Sequence, residues 1–144
     1  MVRDHAPARV LVVEDVPDIA TLLYLLFKAE GYDPIVAADG EEALRLAEAR
    51  PDLVVLDLLM PPPDGFAVAR ALRARYQDVP LLGLTVLSGE ADHARARACG
   101  MNEVVLKPFD PDDLAARVRA WLADPEGRRF RGGGPGGLGT FSLA

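Results

Sequence analysis

Five residues of types that do chemistry stand at the ends of short apolar runs: Glu14 and Asp15 close VLVVED, Asp57 closes VVLD, Thr85 closes LLGLT and Lys107 closes VVLK. Brought together, they would make a cluster of three carboxylates, one ammonium and one hydroxyl. Packed acids repel one another unless a cation joins them. An all-oxygen set with few protein ligands suits Mg²⁺, which takes one or two carboxylates, retains waters and binds phosphate oxygens. Lys107 offers a compact charge and Thr85 a hydroxyl donor to two further oxygens. Metal, ammonium and hydroxyl together stabilise a transferring phosphoryl group, for which Asp57 is the natural carboxylate nucleophile. Taken singly, each residue has a plainer reading: an Asp after a strand caps a helix, Thr85 is uninformative, and Lys107-Pro108 is a turn. Their recurrence at successive strand ends points to a site.

The elements that would position them alternate along the chain. Strands are expected at Val10–Val13, Pro34–Ala37, Leu53–Leu56, Leu81–Leu84 and Val104–Leu106, continuous in Val and Leu as parallel strands covered on both faces should be. Helices are expected near Pro17–Glu30, Glu41–Ala49, Phe66–Arg75, Glu90–Cys99 and Pro111–Ala123. The first carries Ile19, Leu22, Leu23 and Leu26 as its buried stripe and ends at Gly31, a left-handed cap. Asp39 or Gly40 caps the second, Ser88 the fourth, and Asp110 the fifth, with Pro111 at its first position. Leu114, Val118 and Trp121 form the buried stripe of the last helix. Five βα units in order imply an α/β fold: a five-stranded parallel sheet, doubly wound, with right-handed crossovers. Ligands bind such sheets beyond the carboxyl ends of the strands, where the five residues fall.

The chain has 144 residues, enough for one domain with a sizeable core. Half are apolar and 26% charged, an ordinary soluble balance. No apolar run approaches the ~18–20 residues of a membrane span, and MVRDHAPA has no apolar core of a secretory signal. A single cysteine, Cys99, rules out an internal disulfide and suits the cytoplasm; its Ala-rich helix makes it a packing residue. The net charge is −6, and residues 124–144 carry three Arg against Asp124 and Glu126, so residues 1–123 hold about −7. That acidity argues against nucleic acid as partner of the folded body. Residues 1–8 read as an N-terminal extension. Residues 124–144, with seven of the 13 glycines, read as a flexible tail or linker. Its RRFR cluster reads as a solvated segment, and GGGPGG is no phosphate loop, lacking a strand before and a helix after. His5 and His93 have no metal-ligand spacing and read as surface residues.

With VLVVED, LDLLMPPPDG, the LT ending of the fourth strand and LKPF in this order, residues 9–123 resemble a response-regulator receiver domain of bacterial two-component systems. The resemblance implies a flavodoxin-like (βα)5 fold. It implies that Asp57 accepts phosphoryl from a histidine kinase or a histidine-phosphotransfer protein. Glu14, Asp15 and Asp57 would surround Mg²⁺, with the backbone carbonyl of Leu59 completing the protein ligands. Lys107 would bridge to the phosphoryl group across a cis Lys107–Pro108 bond. Thr85 would reorient toward it and report to the face made by the fourth helix, fifth strand and fifth helix, through which such receivers dimerise. Tyr24 and Leu25, roughly opposite Ile19, would be available to a docking kinase or phosphotransfer domain. Pro61 would fix the loop after Asp57, and Pro62 and Pro63 stiffen it further.

Five positions, in four departures, differ from the family pattern. Glu14 replaces the usual Asp, one methylene longer. Val86 replaces a small residue after the threonine and should hinder a bulky phosphodonor. Val104 stands where an aromatic switch is usual. Leu59 and Leu87 occupy the places that flank the hydrolytic water in this family; apolar groups cannot orient it, so slow loss of phosphate is expected. Two other functions use the same residues. A haloacid-dehalogenase-type phosphatase would want a second Asp two residues after the nucleophile, where Leu59 stands. A pseudo-receiver would bind its partner without phosphorylation.

Overall fold

The computed structural model describes residues 6–125 and 141–142. The elements run β1 (Arg9–Val13), α1 (Pro17–Ala29), β2 (Asp33–Ala37), α2 (Gly40–Leu46) with a 3-10 turn at Ala47–Ala49, β3 (Leu53–Asp57), α3 (Gly65–Arg75), β4 (Leu81–Thr85), α4 (Glu90–Ala98), β5 (Glu103–Leu106), α5 (Pro111–Ala123) and β6 (Phe141–Ser142). They form one sheet in the order β2-β1-β3-β4-β5-β6. The first five strands are parallel, in the register Val13↔Ala37, Val13↔Leu56, Asp57↔Leu84 and Thr85↔Leu106 at their carboxyl ends. This is the expected five-stranded α/β sheet. β6 adds something the sequence reading lacked, a short antiparallel strand on β5. The expected flexibility of residues 124–144 otherwise concerns residues 126–140 and 143–144, outside the described residues, as are His5 and the RRFR and GGGPGG segments.

The strands are mostly apolar because alternate residues enter different cores. Leu11, Val13, Val54, Leu56, Leu81 and Val104 meet Ala43, Phe66, Val68, Leu72 and Met101 on the side of α2, α3 and α4. Val10, Val12, Leu53, Val55, Leu82, Leu84 and Val105 meet Leu23 and Phe27 of α1 and Leu114, Val118 and Trp121 of α5. The sheet is the middle layer of three. Each fully buried Leu or Phe contributes roughly 1.5–3 kcal/mol, so both faces are held by many such side chains. No described helix is long and apolar enough to cross a membrane.

Most local signals act as expected. Asp39 caps α2 by accepting from the Glu42 N–H (2.8 Å), and Asp110 caps α5 by accepting from the Asp112 N–H (2.9 Å). Gly31 ends α1 with φ of 90°. Two expectations are corrected. The cap of α4 is Gly89, with no side-chain bond, and not Ser88. In α1 the buried residues are Ala20, Leu23 and Phe27, whereas Leu22 is 42% exposed. Apolar residues of this helix fit more than one amphipathic stripe, so docking against the sheet, not periodicity, selects the face that is covered.

The loop after β3 is bound tightly to its surroundings. The Gly65 N–H donates to the Leu58 carbonyl (3.1 Å), and Asp64 caps α3 by accepting from the Ala67 N–H (2.9 Å). A Cβ on Gly65 would lie 2.3 Å from the Asp57 carbonyl oxygen and 2.5 Å from the Leu58 Cα. A Cβ on Gly40 would lie 2.4 Å from the Pro63 carbonyl oxygen. Both neighbours are backbone and cannot swing aside. Gly65→Ala is therefore expected to destabilise the fold by about 1–3 kcal/mol, the range of an overpacked core. A lowered urea midpoint at unchanged slope will show it; an unchanged midpoint would mean that the loop yields freely.

Candidate functional site

Sheet topology decides where the chemistry gathers. The chain leaves β1 for β2 on one side and returns to β3 on the other, so a crevice opens beyond the carboxyl ends of β1 and β3. Glu14 and Asp15 follow β1, and Asp57 is the last residue of β3. One oxygen from each lies within 4.8 Å of the others. Glu14 is buried and Asp57 only 4% exposed. Lys107, the residue after β5, sends its Nζ to Glu14 Oε1 at 3.1 Å and lies 3.6 Å from Asp57 Oδ1. Asp57 Oδ1 also accepts from the Leu59 N–H (3.2 Å), and Glu14 Oε2 from the Val16 N–H (3.2 Å). One ammonium thus answers two of the three carboxylates.

The imbalance is visible in two ways. Burial, and next the negative charge of Glu14, push the Asp57 carboxyl up from 3.8 to about 6, with Lys107 and the Leu59 N–H opposing them. Asp15 Oδ1 is buried and without a hydrogen-bond partner, the one such side-chain atom among the described residues. An orphaned carboxylate oxygen is costly in a low-dielectric pocket. Facing two further acids, it marks a place that fits a small divalent cation with oxygen ligands.

Thr85 is buried one strand further on, at the end of β4. Its Oγ1 accepts from the Leu87 N–H (3.0 Å), and its carbonyl accepts from the Lys107 N–H (2.8 Å). It is thus joined to the lysine through the backbone. Leu59 is 49% exposed, Val86 is 61% exposed, and Leu87 is half-buried against the core on the α3 and α4 side. Val104 is wholly buried. The Lys107–Pro108 peptide is cis, as the resemblance implied, and so is Pro62–Pro63. His93, expected on the surface, is half-buried with its Nε2 3.0 Å from the Leu87 carbonyl oxygen.

The description "Response regulator receiver domain" matches residues 10–119. This chain belongs to that family. Among curated relatives, the DNA-binding response regulator MtrA of Mycolicibacterium smegmatis is 44% identical over 120 residues, covering 83% of this chain and 52% of MtrA. The alkaline phosphatase synthesis transcriptional regulatory protein PhoP of Bacillus subtilis is 42% identical over 119 residues, covering 82% of this chain and 50% of PhoP. The chain spans about half the length of these relatives. Among solved structures, the chemotaxis protein CheY4 of Vibrio cholerae superposes with a TM-score of 0.77 at 32% identity, covering 80% of this chain and 98% of its own. The receiver domain of the sensor histidine kinase PA1611 from Pseudomonas aeruginosa, with magnesium coordinated in its active site cleft, gives 0.75 at 31% identity, covering 83% and 100%. The receiver family is that of two-component signalling.

One feature of this receiver escaped the sequence reading. Beside Lys107, the residues Ile19, Leu22, Pro108 and Phe109 line an open apolar groove of about 310 Å³. The helical pattern places Ile19 and Leu22 in the core stripe of α1, and only the mutual placement of α1 and the β5–α5 loop turns them into a groove wall.

The raised Asp57 carboxyl makes stability depend on pH. Its proton affinity is higher in the fold than in the unfolded chain, so its favourable contribution is complete below about 3.8 and is lost as pH rises through about 6. Above that, the metal-free receiver carries the cost of an ionised Asp57. Asp57→Asn is expected to stabilise the protein in chelator at pH 7.5 by on the order of 1–3 kcal/mol, the worth of about two pKa units. The gain should shrink toward pH 4. Thermal melts of both proteins across this range test it; a gain independent of pH would remove Asp57 as its source.

Proposed function

We propose that this receiver domain accepts a phosphoryl group on Asp57 from a histidine kinase or a histidine-phosphotransfer protein, with Mg²⁺ held by Glu14, Asp15, Asp57 and the backbone carbonyl of Leu59. The observation that carries this reading is the orphaned, buried Asp15 Oδ1 within a cluster of three carboxylates, of which one ammonium answers only Glu14 and Asp57. When bound, Mg²⁺ supplies positive charge for the phosphoryl oxygens and cancels the repulsion among the acids. The rest of the work falls to the chain. An Asp57 carboxylate oxygen attacks phosphorus, the P–N bond to the donor imidazole breaks, and its electron pair stays on the imidazole. Lys107, now bonded to Glu14, is placed to reach a phosphoryl oxygen beside Asp57. The Thr85 Oγ1 already accepts one bond, and its hydrogen is available to a phosphoryl oxygen.

The donor's approach is suggested by the groove beside Lys107 and by exposed Leu22 (42%), Tyr24 and Leu25 (58%) on α1. An apolar surface next to the nucleophile suits a helical partner that presents its histidine over Asp57. Output is assigned to protein contacts of the face formed by α4, β5 and α5, including a homodimer. Thr85 and Lys107 adjoin it through the β4–β5 pairing. Val104 has no ring to swing, so this coupling would run through the backbone of β5.

Incubation with Mg²⁺ and acetyl phosphate should raise the intact mass by one phosphoryl group per chain, and Asp57→Asn should abolish the gain. Absence of any adduct would favour a phosphorylation-independent binding module, and steady turnover of the donor a phosphatase.

The phosphate is expected to be long-lived. Leu59, two residues after Asp57, is exposed and has no side-chain polar atom to orient water, while Leu87 is partly turned into the core. Leu59→Asn with Leu87→Glu should speed loss of phosphate by about tenfold, equal to some 1.4 kcal/mol of barrier, with Leu59→Asn supplying most of it. Decay followed by mass or by ³²P release decides this, and an unaltered half-life would refute it.

A further inference from the structure

The two edges of the sheet are protected by different means. An edge strand presents unpaired N–H and C=O groups that invite another strand. On the β2 edge the Asp33 N–H donates inward to the Ala8 carbonyl (2.8 Å), so alternation turns the nitrogen of Pro34 outward. A proline there has no donor to offer. The β5 edge, EVVL, has no proline, and its one charged side chain is spent inside. Glu103 is fully buried, accepts from Trp121 Nε1 (2.8 Å) and pairs with Arg117. The Asn102 N–H donates to the Leu81 carbonyl of β4 (2.8 Å), so the N–H groups of Glu103 and Val105 face outward. This unguarded edge is where β6 lies, antiparallel, with Ser142 opposite Glu103 and Phe141 opposite Val104.

We propose that the segment carrying Phe141 and Ser142 is a tethered ligand of the β5 edge, bound by main-chain pairing, and that it excludes a second copy of this chain from that edge. The tether explains how so short a strand competes. Fifteen residues, 126–140, seven of them glycine, join the last described turn after α5 to β6. They reach at most ~50 Å, and a tether of that order presents its end at an effective concentration in the mM range. A free second copy at micromolar concentration meets the edge far less often. β5 is also the strand whose other side pairs with β4, Thr85 opposite Leu106. The ligand and the switch threonine thus flank one strand. The exclusion half of the proposal rests on the reading of the α4–β5–α5 face as a homodimer contact; the docking half does not.

Both halves are tested on the full chain with Ser142→Pro, which removes the N–H facing the Glu103 carbonyl. Residue-resolved amide exchange is read first. The Glu103 amide should exchange about tenfold faster or more in the variant, while the Asn102 amide, bonded to β4, keeps its rate and reports an intact fold. Equal Glu103 rates in the two proteins overturn the docking. Sedimentation velocity with Mg²⁺ and beryllofluoride is read second. Dimers of the variant at about tenfold lower concentration than wild type support exclusion, and coincident association curves overturn it. Monomers throughout would overturn exclusion together with the homodimer reading, and docking would still be decided by the exchange rates.

Discussion

Three carboxylates around one ammonium are the constraint on which the rest of this receiver turns. Glu14, Asp15 and Asp57 are delivered to the crevice by β1 and β3, and burial of Glu14 and Asp57 holds their charges where water screens them poorly. Lys107 answers Glu14 fully and Asp57 partly, and nothing answers Asp15 Oδ1. A protein does not keep such repulsion for stability. Under the proposed function, a cation among the acids and a phosphoryl group on Asp57 would relieve it.

Holding the acids in place requires a frame that cannot relax. The two cores clamp the sheet from both faces, and β3, buried at every residue, has no freedom to withdraw Asp57. The following loop is fastened at Gly65 and Asp64 and lies against Gly40, so the backbone after the nucleophile is fixed at close range by other backbone. Rigid elements position a reacting group better than loops alone can. Variation is left to the rim, where Leu59 and Val86 are exposed and no packing restrains their identity. That is where phosphate lifetime and donor choice would be tuned.

Much of this was legible beforehand, for physical reasons that differ by element. Strands buried on both faces are continuous apolar runs, and each was located to within a residue because polar residues end it abruptly. The caps at Asp39 and Asp110 were legible, since each acts on its own helix through a local bond, whereas the Asp64 cap of α3 was not among the expectations. The cap of α4 was not, because Ser88 and Gly89 are both competent and tertiary placement chose between them. The face of α1 was misjudged at Leu22 for a related reason: a helix apolar almost all round has no unique stripe, and the neighbour that covers it decides.

By itself the sequence determined the α/β alternation, the strand ends and the chemical types that stand there, because these depend on local pattern and side-chain chemistry. Only the tertiary structure decided which of them meet. It placed Lys107 on Glu14 and Asp57 and left Thr85 bonded to its own loop. It formed a groove from Ile19, Leu22 and Phe109, and laid Phe141–Ser142 on the one edge without a proline. Such contacts join residues up to 93 positions apart. They arise from strand order and helix packing, and no local periodicity carries that information.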